Sequence, residues 1–326
     1  MGKFKVVYTD NIYKDNEIEY RRFAEAGYDF TVLQEHDEAS IIEGCKGADA
    51  VMLSFIEMNE NIINHLSDNC KLIVRCGMGF NNVDIPAATK RGIMVANVQK
   101  YCLEEVSDHA VALMLTLIRK TAYLSRRLRE GVWNPAEARP IPRVNELTLC
   151  LYGLGGISSR FATKAKAFGM KVKAYDPFLP AEYFEKMGAE RIEDELELFR
   201  QADVLSVHLP LNASTAKIIS KEKMALMKKD AIFINVARGG LVDEEALIEA
   251  LQEGRLGGAG LDVLADEFPS MDNPLFQMDN VIVSPHIAYY SEGSDVDLRN
   301  YAIDQVIEAL EKGEPRFILN KKELGR

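Results

Sequence analysis

A pair of glycines and one carboxylate give the chain its first legible chemistry. The run Leu147-Thr-Leu-Cys-Leu-Tyr152-Gly153-Leu-Gly155-Gly156-Ile157-Ser158 reads as a strand, a glycine-rich turn and a helix start, the context in which a dinucleotide's pyrophosphate is held. Gly153 permits the tight turn and Gly155 lets backbone reach the pyrophosphate. The helix N-terminus at Gly156 and Ile157 then stabilises the negative charge. Ser158 stands where a third glycine is usual. A glycine pair alone also closes ordinary strand-to-helix turns, but the next strand sharpens the reading. Lys171-Val-Lys-Ala-Tyr-Asp176 ends on a carboxylate 18 residues past Ser158, placed to accept from ribose hydroxyls and to repel a 2′-phosphate. A cap ahead of Pro177 is the plainer alternative for Asp176. The expected cofactor is NAD rather than NADP.

Such a loop needs a parallel sheet to carry it. Apolar runs at Phe4 to Tyr8, Phe30 to Leu33, Ala50 to Ser54, Leu72 to Val74 and Ile93 to Ala96 alternate with amphipathic stretches such as Glu17 to Ala26 and Ala39 to Cys45, the pattern of βαβ units. A second set of runs follows a loop containing Gly131, Pro135, Pro140 and Pro142: Leu147 to Tyr152, Lys171 to Tyr175, Val204 to Val207, Ala231 to Asn235, Gly257 to Leu261 and Val281 to Val283. Between the two sets, Leu103 to Glu130 has no Gly or Pro and is apolar at Val106, Ala110, Leu113, Met114, Leu117, Ile118 and Leu124. That predicts one long helix, able to bridge domains or to pack against a second copy of the chain as a homodimer. The closing helix, Ser291 to Lys312, has no sheet of its own and is expected on the first unit. The expected fold is α/β, with two Rossmann-like domains on parallel sheets and a cleft between them. The first, residues 1–100 with 289–326, is flavodoxin-like; the second, 101–288, binds the dinucleotide.

Three further segments resemble the D-isomer-specific 2-hydroxyacid dehydrogenase family, and the likeness spans roughly residues 50 to 310. They are Ala202-Asp-Val-Leu-Ser-Val-His208-Leu-Pro210-Leu, Ala231-Ile-Phe-Ile-Asn235-Val236-Ala237-Arg238-Gly239-Gly240-Leu-Val-Asp243, and Gly260-Leu-Asp262-Val-Leu-Ala-Asp-Glu267 followed by Ser284-Pro285-His286-Ile287-Ala288. The resemblance implies an NAD-dependent oxidoreductase that passes a hydride between nicotinamide and a small 2-keto or 2-hydroxy acid, with the first unit as its substrate domain. A keto acid needs a cation to grip its carboxylate and polarise its carbonyl, and Arg238 follows a predicted strand end, where α/β sheets bind ligands. Hydride transfer leaves an alkoxide that must take a proton, the task of His286, while Glu267 bonds the other imidazole nitrogen and fixes the tautomer. The family's usual Glu-Pro is interrupted by Phe268, which leaves Asp266 as a rival to Glu267.

Arg75-Cys-Gly77-Met78-Gly79-Phe-Asn81-Asn82-Val-Asp84 resembles the family's substrate loop, whose backbone amides receive the carboxylate. The resemblance also places Tyr152, His208, Pro210, Thr215, Val236 and Ala237 along the cofactor, with Asp262 accepting from the nicotinamide carboxamide and Tyr289 beside the substrate. Tyr289-Tyr290-Ser291-Glu292 is close to the C-terminal-binding-protein branch, and Asn81 stands where most members have Asp. Animal members of that branch act as NAD-sensing corepressors. The competing expectation is therefore an NAD(H)-sensing binding protein with little turnover, set against a reductase of glyoxylate or hydroxypyruvate or a phosphoglycerate dehydrogenase-like enzyme.

Composition narrows the classes. A formal charge of -11 over 326 residues works against binding nucleic acid or anionic lipid. Cys45, Cys70, Cys76, Cys102 and Cys150 form no C-x-x-C pair, so neither a disulfide framework nor a metal cluster is expected. The opening residues lack the long apolar run of a signal peptide and no stretch approaches the ~18 apolar residues of a membrane span, which predicts a cytoplasmic protein. His36 and His65 fall in predicted polar surface, and His109 lies inside the predicted helix as a packed core residue.

Overall fold

Strands buried on both faces read as unbroken runs of Val, Ile and Leu, and that is how this chain's apolar runs fold. The computed structural model describes residues 2–325. It divides into two units, Met1–Tyr101 with Ser291–Arg326, and Cys102–Tyr290.

The first unit runs β1 (Lys5–Tyr8), α1 (Glu17–Glu25), β2 (Asp29–Val32), α2 (Glu38–Gly44), β3 (Ala50–Leu53), α3 (Glu60–His65), β4 (Leu72–Arg75), α4 (Ile85–Lys90) and β5 (Met94–Asn97). Its five strands are parallel in the order β2-β1-β3-β4-β5, the flavodoxin-like arrangement. Helix starts are set by side chains that accept from orphan amides: Asp37 from Ser40, Asn59 from Ile62 and Asp84 from Ala87. Val7, Val51, Leu53, Ile73 and Val95 face Ile41, Ile62, Ile63 and Ala88 in the core.

The second unit runs α5 (Leu103–Arg119), α6 (Thr121–Arg129), β6 (Thr148–Tyr152), α7 (Gly156–Ala167), β7 (Lys171–Tyr175), α8 (Ala181–Met187) and β8 (Glu190–Arg191). It continues with α9 (Glu195–Gln201), β9 (Val204–Val207), α10 (Lys221–Met224), β10 (Ile232–Asn235), α11 (Glu244–Gln252), β11 (Gly258–Leu261) and β12 (Val281–Val283). All seven strands are parallel, in the order β12-β11-β10-β9-β6-β7-β8, so the winding reverses between β6 and β9. A crevice outside the carboxyl ends at such a reversal is where α/β sheets take ligands. The fold class is therefore two Rossmann-like parallel sheets, with β8 a two-residue edge strand that the sequence pattern does not announce.

The helix α12 (Glu292–Lys312) belongs to the first unit, packed on α1, β3 and β4. Ser291 and Ser294 form its capping box. Arg299 of α12 makes a buried two-pronged pair with Glu19 of α1, its Nε and Nη2 donating at 2.7 and 2.5 Å.

The single helix expected over 103–130 is broken. Lys120 adopts the left-handed conformation at φ 54 and ends α5, its amide donating to Leu117 and Thr116. The reason is burial. Helix α5 buries Leu103, Val106, Ala110, Leu113, Met114 and Ile118, packing on α7, β10 and β11, whereas α6 buries none of its residues. Once the sheet contact ends no buried side chain holds the chain to one axis, and a lysine meets the left-handed cap at a cost of only about 1–2 kcal/mol. Among the described residues, no helix is long and apolar enough to cross a membrane.

Candidate active site

The chemistry-bearing residues of the second unit leave one edge of its sheet. Asn235, Leu261 and Val283 are register partners at the ends of β10, β11 and β12, so Arg238, Asp262, Glu267 and His286 all emerge beyond neighbouring carboxyl termini. Asn235 shapes the first turn, its Oδ1 accepting from Ala237 at 3.0 Å and its Nδ2 donating to Arg238 O at 2.9 Å. Half-buried Arg238 donates from Nη1 to Ala237 O at 2.6 Å, with Val236 buried beneath.

His286 sits at φ 50, a left-handed conformation that a histidine holds only where its surroundings impose it. Asp262 imposes it. Its backbone oxygen accepts from His286 N at 2.8 Å, and its carboxylate, 1% exposed, accepts from Ile287 N at 3.0 Å, Ala288 N at 2.9 Å and Ser284 Oγ at 2.6 Å. Ser284 is in turn 2.8 Å from Nε2 of His109 on α5. His109, expected as plain core, is thus tied to the turn that carries His286. The one signal in the sequence is a polar ring in a largely apolar helix, since a half-buried imidazole needs a hydrogen-bond partner.

The Nδ1 of His286 is hydrogen-bonded to Glu267 Oε1. Asp266 accepts from Phe268 N at 3.0 Å and caps its own turn, so of the two acidic neighbours it is Glu267 that meets the imidazole. The Tyr289 ring stands edge-on to His286 at 6.4 Å between centroids. A histidine anchored at Nδ1 by a carboxylate keeps Nε2 for a substrate, and a guanidinium leaves the adjacent strand: together they suit proton transfer at a polarised carbonyl.

At the other side of the winding reversal, Gly153 has φ 92, and a Cβ there would lie 2.7 Å from His208 O. A Cβ on Gly155 would meet nothing within 4 Å, so open space lies beside this backbone at the start of α7, as a pyrophosphate requires. Asp176 lies against the loop, its carboxylate accepting from Leu154 N at 3.0 Å and Phe178 N at 3.1 Å. Ser158 is fully buried and donates to Gly155 O at 3.3 Å, so the hydroxyl in place of the third glycine is accommodated within the turn. These residues fit a dinucleotide.

The other residues expected along the cofactor are tied to the protein around them. The Tyr152 ring packs edge-on against Tyr175 and Phe199 and its hydroxyl bonds Glu195, leaving its carbonyl to accept from His208 N at 2.8 Å. His208 lies 2.8 Å from Ser206 Oγ, and desolvation pushes its pKa down to about 3, which keeps the imidazole neutral. Thr215 donates to Pro210 O at 2.6 Å and accepts from Asn212 N at 2.9 Å, closing the turn that follows β9.

In the first unit, Arg75 ends β4 and folds its guanidinium over Gly77, where φ is 146 and any Cβ would collide with Nη1. Nη1 donates to Cys76 O at 3.2 Å, while the buried Nε has no hydrogen-bond partner among the described residues. The carbonyls of Gly77 and Met78 accept from Val98 N at 3.0 Å and Asn97 Nδ2 at 2.6 Å, fixing the Gly77-Met78-Gly79 loop to the end of β5.

Residues 111–288 match the profile of the NAD-binding domain of D-isomer specific 2-hydroxyacid dehydrogenases. The chain is 38% identical over 283 residues to the D-3-phosphoglycerate dehydrogenase of Methanocaldococcus jannaschii, covering 86% of this chain and 53% of that protein. It is 36% identical to the glycerate dehydrogenase of Methylorubrum extorquens, covering 86% of this chain and 88% of that protein. The D-lactate dehydrogenase of Aquifex aeolicus, solved with NAD and lactic acid, superposes with a TM-score of 0.85 at 29% identity, covering 94% of this chain and 96% of that one. The chain spans about half the length of the first of these relatives. With the glycine turn, the acidic strand end and the histidine-glutamate pair all on one parallel sheet, the chain belongs to the D-isomer specific 2-hydroxyacid dehydrogenase family, and its second unit is that family's NAD-binding domain.

Proposed function

We propose that the protein is an NAD-dependent oxidoreductase that reduces a small 2-keto acid to the D-2-hydroxy acid, or runs the reverse reaction. The observation that carries this reading is the Glu267–His286 hydrogen bond on a turn wrapped around buried Asp262. Bound NADH supplies the hydride. Arg238 holds the carboxylate and polarises the carbonyl. Within the first unit, the backbone of Gly77, Met78 and Gly79 beside Arg75 forms a loop of the kind that receives a carboxylate. His286 gives its Nε2 proton to the forming alkoxide, and Glu267 stabilises the imidazole that must hold that proton beforehand. Asp262 holds the turn and, through it, the nicotinamide end of the site, with Tyr289 beside the substrate.

Gly153, Gly155, Gly156 and Ile157 cradle the pyrophosphate, and Asp176 selects NAD over NADP because its charge repels a 2′-phosphate. The test is NADH oxidation across a panel of 2-keto acids, with His286→Ala as control. Turnover that disappears in the variant is the expected result. Tight NADH binding with no turnover of any acid would move the protein to a cofactor-sensing binding role.

The protein acts as a homodimer in this reading. Support comes from α6, which buries none of its residues, and from Leu128 and Trp133, 50% and 86% exposed just where the helix ends. A monomeric mass in light scattering would remove it. Cytoplasmic residence is supported by the dinucleotide and by Cys45, Cys70, Cys76 and Cys150, thiols whose pKa burial pushes up to about 12.

A further inference from the structure

One face of α12 turns charge and an aromatic ring away from the core. Tyr301, Asp304 and Glu308 recur there at helical spacing, and with Lys100, Arg316 and Phe317 they line a solvent-open cavity of about 590 Å³, a volume that suits a small molecule. Every residue that lines it belongs to the first unit.

The charged groups of this cavity are only half engaged. Asp304 Oδ1 accepts from Arg22 Nη2 at 2.7 Å, and Glu308 Oε1 accepts from Arg316 Nη2 at 2.8 Å. The second oxygen of each carboxylate has no hydrogen-bond partner among the described residues, and neither has the Tyr301 hydroxyl or the Lys100 ammonium. Lys100 also stands at φ 69, a left-handed conformation uncommon for a residue with a side chain. Two open carboxylate oxygens beside the rings of Tyr301 and Phe317 suit an alkylammonium group, and Lys100 supplies the charge that a carboxylate needs. The formal charges of Lys100, Arg316, Asp304 and Glu308 cancel, so a ligand that carries both signs answers the whole set, whereas an anion or a cation alone leaves one side unmatched.

The floor of the cavity is bonded to the Gly77-Met78-Gly79 loop. Val98 N donates to Gly77 O at 3.0 Å and Asn97 Nδ2 to Met78 O at 2.6 Å. Gln305 Nε2 donates to Asn97 O at 2.8 Å, and its Oε1 accepts from Phe317 N at 3.2 Å. A continuous run of hydrogen bonds therefore leads from Phe317, on the cavity wall, to Met78 in the loop.

We propose that this cavity binds a free α-amino acid with an apolar side chain, its ammonium on Asp304 and Glu308 and its carboxylate on Lys100, and that occupancy is felt at the Gly77–Gly79 loop. The side chain packs against Phe317 and Tyr301. The site stands apart from the dehydrogenase reading, and only its kinetic consequence rests on that reading.

Calorimetry on the full chain, with L-leucine and L-phenylalanine titrated to about 10 mM, should show saturable binding of at least one of them. The single-charge analogues 3-phenylpropionate and phenethylamine should bind at least about ten-fold more weakly than that amino acid, and Glu308→Gln and Lys100→Ala should each weaken its binding by about ten-fold with the melting temperature kept. No saturation with either amino acid, equal affinity for either analogue, or an affinity that either substitution leaves unchanged overturns the site. With the amino acid saturating, KM for the 2-keto acid turned over should shift by at least about two-fold, and an unchanged KM overturns the link to the loop while leaving the site. If no 2-keto acid is turned over, the dehydrogenase reading fails by itself. The link is then read from hydrogen exchange of the Val98 amide, which the amino acid should slow and whose constancy would overturn it.

Discussion

His286 is held in a backbone conformation that costs on the order of 1–3 kcal/mol, and the groups that offset the cost are two amides and a hydroxyl converging on Asp262. Replacing that carboxylate by an amide puts an Nδ2 donor against at least one of those donors. Asp262→Asn should therefore destabilise the protein by about 2–3 kcal/mol, measured by urea unfolding, and lower kcat by roughly 10²-fold through misplacement of the histidine. Glu267→Gln makes a cleaner cut, because the hydrogen bond to His286 lies in a half-exposed loop. It should lower kcat by about 10²–10⁴-fold with stability and the NADH dissociation constant unchanged; a loss expressed mainly in NADH affinity would contradict the role assigned to Glu267. The pair itself was legible through the family resemblance of the segments around Asp262 and His286, since Glu267 taken alone reads as a solvated charge beside Asp266. The support beneath it was not. His109 and Ser284 are 175 positions apart, and nothing in either neighbourhood names the other.

At the scale of elements, the strand-turn-helix of β6 and α7 separates two demands that glycine meets. Gly153 is needed by the fold: φ 92 and a carbonyl 2.7 Å from any Cβ make alanine both strained and clashing. Gly155 is not required by the backbone, with φ -89 and open space around the position of a Cβ, so the need proposed for it is the ligand's. Gly153→Ala should cost about 1–3 kcal/mol of stability, whereas Gly155→Ala should keep the melting temperature and weaken NADH binding by at least about ten-fold in a fluorescence titration. Equal effects of the two substitutions on stability would refute the separation. The sheet positions themselves were readable to within about a residue: Val204–Val207 is buried on both faces and carries its burial in composition, while Lys171–Tyr175 alternates buried Val172 and Ala174 with more exposed residues. The break at Lys120 was not readable. It follows from where the sheet contact stops, a tertiary fact, with no glycine or proline to mark it.

For the whole molecule, the balance of protonation predicts how stability depends on pH. The buried imidazole of His208 titrates at about 3 in the folded protein against about 6.5 when unfolded, so between these values the unfolded chain binds more protons. Its contribution is fully present above pH 6.5 and declines as pH falls toward 3, by about 1.4 kcal/mol per unit, or about 2 kcal/mol by pH 5. Other shifted groups act lower on the scale. Glu104, held down by Lys164 and Arg160, and Asp279, held down by Arg126, are largely exposed and lose their small share only below the ordinary carboxylate range. Asp295, raised by burial, works in the opposite sense and above the ordinary carboxylate value, adding stability as pH falls. The part of the response between pH 7.5 and 5 that belongs to the histidine is therefore the part that goes with its side chain. Lowering pH across this range should depress the melting temperature by about 4–8 °C, the shift expected of ~2 kcal/mol in a unit of this size. His208→Gln, which keeps a polar partner for Ser206 without a proton to gain, should flatten the response to within about a degree, at whatever absolute stability the variant has. A variant that melts with the same pH slope as the parent would place the acid sensitivity elsewhere and remove His208 as its cause.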